Sequence, residues 1–446
     1  MVMIIFTWTL LSLFSCIHGG YSDYGTMSGI ALLAISFFVI FKKQPNFGMA
    51  SLIYLASLLI TSALCMYTES GVFLSEIKEF TYPTGITLKV TILCAFMMIS
   101  ASFIYAITGK VKFIYGCISS DINNIFKLSV KVASVFLIII LFATWVIYGS
   151  PNSHGVDRFY YWEHIAPKWA QYCKFVLEQM SIFLGILYAQ GKRKIFMTLM
   201  ILSLVSQVMV GEKFTGLYLS IFLFFTPYVF LNRKNAFKML FNARAVVLAI
   251  LAVMSLAITS YLSYASMSGG DAAIAKLLNR VVLQAQMWWA VGNYEGSGFG
   301  FGMVMTHLFG FGASETDSGI RYLMGIISPP DVYSWFMDRG VTFTMGGPVN
   351  LIYFFGFPGS ILVSMIVGAL IGIGMRVFYE SIMSTDFVLI FLSVKLFYAI
   401  LRISVMGETQ LILEPKTILY LVLFIAYSLM SALLYRKGIN SIAQPR

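Results

Sequence analysis

The chain has 446 residues, 59% of them hydrophobic and only 11% charged, where a soluble globular domain carries about a quarter charged residues. Its formal net charge is +11. Apolar runs of about 20 residues recur along its whole length and mark membrane-spanning helices, while the ten-residue alternation of a transmembrane β-barrel is absent.

In chain order the apolar runs place spans near 2–18, 27–41, 48–68, 86–107, 132–149, 170–190, 195–210, 215–231, 245–265, 349–375, 385–406 and 416–435. The reading is an all-α, polytopic integral membrane protein of about twelve spans. Residues 1–17 lack a basic n-region and a small-x-small cleavage site, so they read as the first span rather than a signal peptide. The division that follows is 1–265, nine spans with short connections; 266–348, one large outer loop; and 349–446, three spans with a tail.

The connections alternate in charge. Lys42 and Lys43, Lys110 to Lys131, Lys192 to Lys194, Arg233 to Arg244, Arg376, and Arg436, Lys437 and Arg446 fall on one side, with only Asp121, Glu380 and Asp386 as acids. The positive-inside rule puts that side and both termini in the cytoplasm. Flanking charge thus accounts for the basic balance, and no nucleic-acid partner is needed. The five scattered cysteines and four histidines form neither a CxxC pair nor an HExxH-type site. No Walker or dinucleotide fingerprint is present, so any chemistry belongs on the outer face and draws its energy from its substrate.

A small outer segment, 150–169, sets Asp157, Arg158, Glu163, His154 and His164 among Tyr160, Tyr161 and Trp162. Such aromatics suit either stacking on a sugar ring or an ordinary interfacial belt. At "GEKFTG", Gly211–Gly216, Glu212 and Lys213 interrupt two apolar runs. One reading is a glycine-flanked turn with a surface ion pair. The other is an anion site at the exposed start of the eighth span, where free amides, the helix dipole and Lys213 combine.

The large loop is rich in glycine and aromatic residues, which favours interfacial helices over a solvated linker. Within "DAAIAKLLNRVVLQAQMWW", Lys276, Arg280 and Gln284 recur at four-residue spacing, a stripe facing either water or a phosphate. "GSGFGFG", Gly296–Gly302, lacks the GxGxxG spacing and a preceding strand, and reads as a hinge. Further on, Glu315, Asp317, Asp331 and Asp338 accompany Arg321 and Arg339. They are either surface ion pairs or a set in which arginine forks bind phosphate and a carboxylate accepts a hydroxyl proton. His307 is a further candidate base on this side, since imidazoles in general titrate near neutral pH. In "LRISVMGETQ", Arg402 lies near the outer end of the eleventh span, seven residues after Lys395 and just before Glu408; cations in such spans default to functional or paired roles.

Three stretches carry a resemblance: "MVGEKFTGLYLSIFLFF", "IRYLMGIISPP…GGPVNLIYFFGFPGSILVSMIVGALIGIGMR" with its glycine-framed "FFGFPGS", and "LRISVMGETQ". Together with the general plan of the chain they resemble the Wzy-type repeat-unit polymerases, including O-antigen and enterobacterial common antigen polymerases. The resemblance implies a glycosyltransferase at the periplasmic face of the bacterial inner membrane. Such an enzyme moves a growing glycan from undecaprenyl pyrophosphate onto a hydroxyl of the next lipid-linked repeat unit. The expected partners are those lipid-linked oligosaccharides, membrane lipids and a chain-length regulator. No nucleotide or metal is expected. Cations offset the charge developing on the pyrophosphate, with Lys213, Arg280, Arg321, Arg339 and Arg402 as candidates. Glu408, Asp317 and His307 are the candidate bases. An O-antigen ligase and a lipid-linked glycan flippase or transporter are the alternatives; a transporter would place polar residues near the midplane.

Overall fold

A computed structural model of the chain describes residues 21–442 except 111–119, 157, 192, 213–214, 232–241, 244–246, 248–253, 255–256, 259, 263, 266–269 and 295–299. Of the described residues 83% are helical, as the apolar runs require. Among the described residues seven helices are long and apolar enough to cross a membrane: Asp23–Lys43, Ile86–Thr108, Asn124–His154, Lys168–Gln190, Val349–Ser384, Phe387–Met406 and Pro415–Leu434. Leu52–Thr68 and Thr215–Leu231 are shorter apolar helices, and the run at 195–210 is the helix Arg193–Met209. The expected span at 2–18, and most of the one at 245–265, fall outside the described residues.

The chain forms two compact units. One comprises Met1–Phe113, Asn279–Phe378 and Leu392–Tyr427; the other comprises Ile114–Leu278, Tyr379–Phe391 and Ser428–Arg446. These units cut across the linear division at 265 and 348, because helices distant in sequence pack together.

The first unit opens with α1 (Asp23–Lys43). Ser22 caps it by accepting from the Gly25 amide at 3.3 Å, Asp23 sits in its first turn and Lys42 and Lys43 in its last, so each end carries the charge the helix dipole favours. A short α2 (Pro45–Ala50) leads to α3 (Leu52–Thr68). A two-residue hairpin, β1 (Phe73–Leu74) and β2 (Glu79–Phe80), pairs Phe73 with Phe80 and connects to α4 (Ile86–Thr108). The buried Glu69 carboxylate accepts from the Thr84 and Ile86 amides at 3.0 and 3.1 Å, closing the start of α4.

Among the described residues the second unit includes α5 (Ser120–Tyr148), α6 (Lys168–Gln190), α7 (Arg193–Met209) and α8 (Thr215–Leu231). Gly185 of α6 meets the backbone of Phe224 in α8, leaving no room for a side chain. Tyr161 and Trp162 are buried with Leu137, Leu141, Leu177 and Val210, and the Tyr161 hydroxyl donates to the Gly149 carbonyl at 2.9 Å. These two rings are core. The sugar-stacking alternative for them does not hold, because their faces are covered by the protein.

The large loop is folded. It holds α9 (Gly270–Val282), α10 (Gln286–Asn293), α11 (Gly319–Ile327) and α12 (Pro330–Asp338). Much of its aromatic content is core of the first unit. Trp288 and Trp289 are fully buried, and their indole N–H groups donate to the carbonyls of Gly347 and Tyr82 at 3.2 and 2.9 Å. Burial of both indoles with their donors satisfied locks α10 to two flanking segments.

After the loop come α13 (Val349–Ser384), α14 (Phe387–Leu401) and α15 (Pro415–Ile442). The first of these is broken at Gly356, whose φ of 66° and ψ of 166° are not helical. Pro358 then lies in the first turn of the new segment, where its missing N–H costs nothing. The "FFGFPGS" stretch is therefore a kink within the apolar run. Further along α13, Gly368 and Gly372 face the carbonyls of Met97 and Ala101 in α4, and a Cβ at either would collide with them. This small-xxx-small spacing lets the two helices approach closely.

Candidate functional site

In the first unit, His307 lies in a π-helical turn, Val304–Leu308. The chain then passes through Gly310 and Gly312, both at φ 72°, and a tight turn at Glu315–Asp317 before α11 begins at Gly319. Gly319, at φ 58°, faces the Gln410 amide so closely that a Cβ would collide with it. The Thr409 hydroxyl donates to the Leu308 carbonyl at 2.5 Å. Glu408 and His307 are each one residue removed from that bond. The junction is held from a second side, where the Gly346 and Gly347 amides donate to the carbonyls of Met406 and Val405, both at 3.1 Å.

The His307 Nδ1 lies 3.0 Å from the Asp317 carbonyl oxygen and 3.6 Å from its carboxylate. A carbonyl only accepts, so Nδ1 carries the proton and the lone pair of the neutral ring is on Nε2. Among the described residues Nε2 has no hydrogen-bond partner. The ring stacks on Tyr322 at 4.0 Å and 13°, and Tyr322 stacks in turn near Phe354 at 6.1 Å. Burial, then the neighbouring Tyr353, push the Tyr322 phenol well above the usual range; burial also raises Tyr333. Both rings stay neutral. The hydroxyl of Tyr333 donates to the Thr316 carbonyl at 3.0 Å. A cleft of about 380 Å³ opens here, lined by Thr316, Asp317, Tyr322, Ile326, Tyr333 and Ser334, among others.

The candidate cations of this unit each have a partner. Arg321 is ion-paired with Glu315, whose side chain is 78% exposed. Arg402 is ion-paired with Glu408, which is 8% exposed as a residue. Arg339 lies 3.9 Å over the Trp335 ring, a cation–π contact. Arg280 donates to Glu76 at 2.9 Å. The stripe read at Lys276, Arg280 and Gln284 is thus divided: Gln284 accepts from Thr344 at 2.9 Å, and Arg280 faces a carboxylate of the hairpin connection. Of the candidate bases, Glu408 is neutralised by Arg402, Asp317 is half-exposed beside His307, and His307 retains an open nitrogen.

The second unit holds a buried charge cluster that the sequence only half revealed. Lys174 of α6 is ion-paired with Glu212 and lies 3.2 Å from Glu178, one turn further along. The Glu178 contact is one of charge without a directed hydrogen bond. Arg158 reaches Glu212 from the partly exposed side at 3.1 Å. The Glu212 carboxylate also accepts from the Gly216 amide at 3.3 Å, in the first turn of α8. Burial alone would raise this carboxyl, and Lys174, Arg158 and the amide outweigh it, holding it below the usual carboxylate range.

Glu212 therefore takes the place at the start of α8 that the sequence reading left open for an outside anion. Lys213 lies outside the described residues. The unrecognised members are Lys174 and Glu178. Two opposite charges four residues apart inside an apolar run are an intramembrane ion pair by default, and that signal was present in the sequence. Among the described residues no cluster of three His, Cys, Asp or Glu side chains could hold a metal ion.

Residues 313–421 match a family of unknown function (DUF6418). That segment takes in Asp317, Arg321, Arg402 and Glu408. No curated protein matches the chain, and no solved structure matches it.

Proposed function

We propose that the chain is a repeat-unit polymerase of surface polysaccharide. It crosses the bacterial inner membrane about twelve times, with both termini in the cytoplasm and the 266–348 loop in the periplasm. It joins undecaprenyl-pyrophosphate-linked oligosaccharides without a metal or nucleotide. The observation that carries the reading is His307: its Nδ1–H is committed to the Asp317 carbonyl, which leaves Nε2 as a proton acceptor on a ring that adjoins Asp317 and Tyr322, two residues lining a cleft.

In this reading Nε2 takes the proton of an acceptor hydroxyl. The resulting oxygen attacks the anomeric carbon of the donor glycan, and the bond from that carbon to the phosphate oxygen breaks. The electron pair leaves with the lipid pyrophosphate. Arg321 and Arg402 offset that charge by turning from their carboxylates, and an arginine fork suits a phosphate as well as a carboxylate.

The test is glycan length in a deletion strain. Loss of a polymerase leaves acceptors capped with single repeat units. Absence of any capped acceptor while carrier-linked polymer persists identifies a ligase instead, and absence of outer-face repeat units identifies a flippase. An unchanged ladder of long chains ends the proposal.

A further inference from the structure

The cleft beside His307 has the wrong charge for a pyrophosphate. Its one ionisable acid is Asp317, half-exposed, and no cation lines it among the described residues. Arg321, adjacent in sequence to Tyr322, is not part of the cleft lining and is paired with Glu315. A carboxylate without a facing cation repels phosphate. What the cleft does offer is an aromatic face, hydroxyl groups and one strong acceptor.

The two tyrosines differ. Tyr322 is stacked on His307 and has Phe354 and Tyr353 as further ring neighbours. Tyr333 lines the cleft and is only part-buried, and its ring stands over Gly325, where an added Cβ would come within 3.5 Å of it. Its hydroxyl is fixed to the Thr316 carbonyl, which sets the plane of the ring. Thr316 and Ser334 add hydroxyls at the rim, and Pro330 and Ile326 add apolar floor. The volume of about 380 Å³ falls at the small end of ligand pockets.

We propose that this cleft binds an uncharged pyranose of the acceptor repeat unit. The apolar face of the sugar lies on Tyr333, and a hydroxyl donates to the Asp317 carboxylate within reach of the His307 imidazole. This inference rests on the glycosyl-transfer reading and adds a division of labour to it: the sugar sits here, and the pyrophosphate sits elsewhere.

The full chain in detergent is examined by saturation-transfer NMR with glucose, galactose, mannose and N-acetylglucosamine as probes, and with inorganic pyrophosphate as competitor. At least one sugar receives saturation in the native chain. Tyr333→Ala weakens its binding by about tenfold, the loss of one aromatic face. Tyr333→Phe keeps the face and stays within about twofold of the native chain. Pyrophosphate does not displace the sugar. Binding of no sugar, equal binding by native and Tyr333→Ala chains, or displacement by pyrophosphate overturns the inference. If single-unit capping appears in the deletion strain but sugar binding does not depend on Tyr333, the subsite alone is wrong. If the ladder is unchanged while Tyr333-dependent binding is present, the cleft stands as a sugar site and the transfer reading is wrong.

Discussion

The imidazole of His307 donates from Nδ1 to the carbonyl oxygen of Asp317 at 3.0 Å, ten residues further along the chain. Backbone geometry thus selects the tautomer, and it does so without spending a carboxylate. His307→Asn keeps a donor for that carbonyl and removes the base. Polymer formed from lipid-linked repeat units in proteoliposomes should fall by about 10²–10⁴-fold, the span of general-base effects. Protein level and thermal midpoint in detergent should stay near native values. Native turnover in His307→Asn excludes the imidazole as base.

Glu212 holds together groups from three segments: Arg158, Lys174 and the Gly216 amide. Glu212→Gln leaves Lys174 with the poorly directed Glu178 contact and Arg158 without its carboxylate. Breaking a buried pair from one side costs about 3–5 kcal/mol, so the thermal midpoint should drop clearly. The folded carboxyl titrates below its unfolded value of about 4.3. Its contribution is therefore complete above that value and is lost as pH falls through the lower, folded one. Acid should destabilise the native chain more than Glu212→Gln. Parallel acid profiles for the two would remove Glu212 from this role.

Glu76 runs the other way. Burial raises its carboxyl, and Gln286 and Arg280 recover only part of that cost. With the folded value above the unfolded one, its favourable contribution is complete below about pH 4.3 and is lost as pH rises through the folded value. At neutral pH the ionised carboxylate is a net burden on the junction between the hairpin and α9. Glu76→Gln should accordingly leave thermal stability at pH 7 unchanged or slightly higher, and lower its pH dependence on the acid side. A marked loss of midpoint at pH 7 contradicts this balance.

Helices were legible where a long apolar run decided the outcome, as at 86–107 and 170–190, because burial in lipid or protein acts on the whole run. What the runs conceal is partner choice. Lys174 and Glu178 stand in an apolar helix, and nothing near them in sequence announces Glu212 or Arg158. The same holds for Arg280, whose spacing suggested a stripe and whose partner, Glu76, comes from the hairpin connection. Tyr333 was not singled out from the sequence, since one tyrosine among the loop aromatics carries no local mark. Its place in the cleft arises only when α12 folds against the Thr316–Asp317 turn. The large loop's aromatic content correctly excluded a solvated linker, but Trp288 and Trp289 are explained by protein core.

Arg402 and Glu408 form an ion pair across the turn that follows α14, with the Glu408 amide donating back to the Arg402 carbonyl at 3.2 Å. The arginine side chain is 51% exposed and that of the glutamate 11%. This asymmetry separates a structural role from a functional one. If the pair only ties the turn, Arg402→Ala and Glu408→Ala act through the same contact, and the double variant is no worse than either alone. If Arg402 leaves Glu408 to meet pyrophosphate, Arg402→Ala abolishes chain extension at native protein level. Glu408→Gln, which frees the arginine, then retains part of the activity. Arg321→Ala should lose extension likewise, with Glu315→Gln active, because Glu315 is largely exposed and costs little to unpair. Single-turnover assays on lipid-linked repeat units measure these four variants against expression level. Wild-type extension in both arginine variants removes them from the pyrophosphate site.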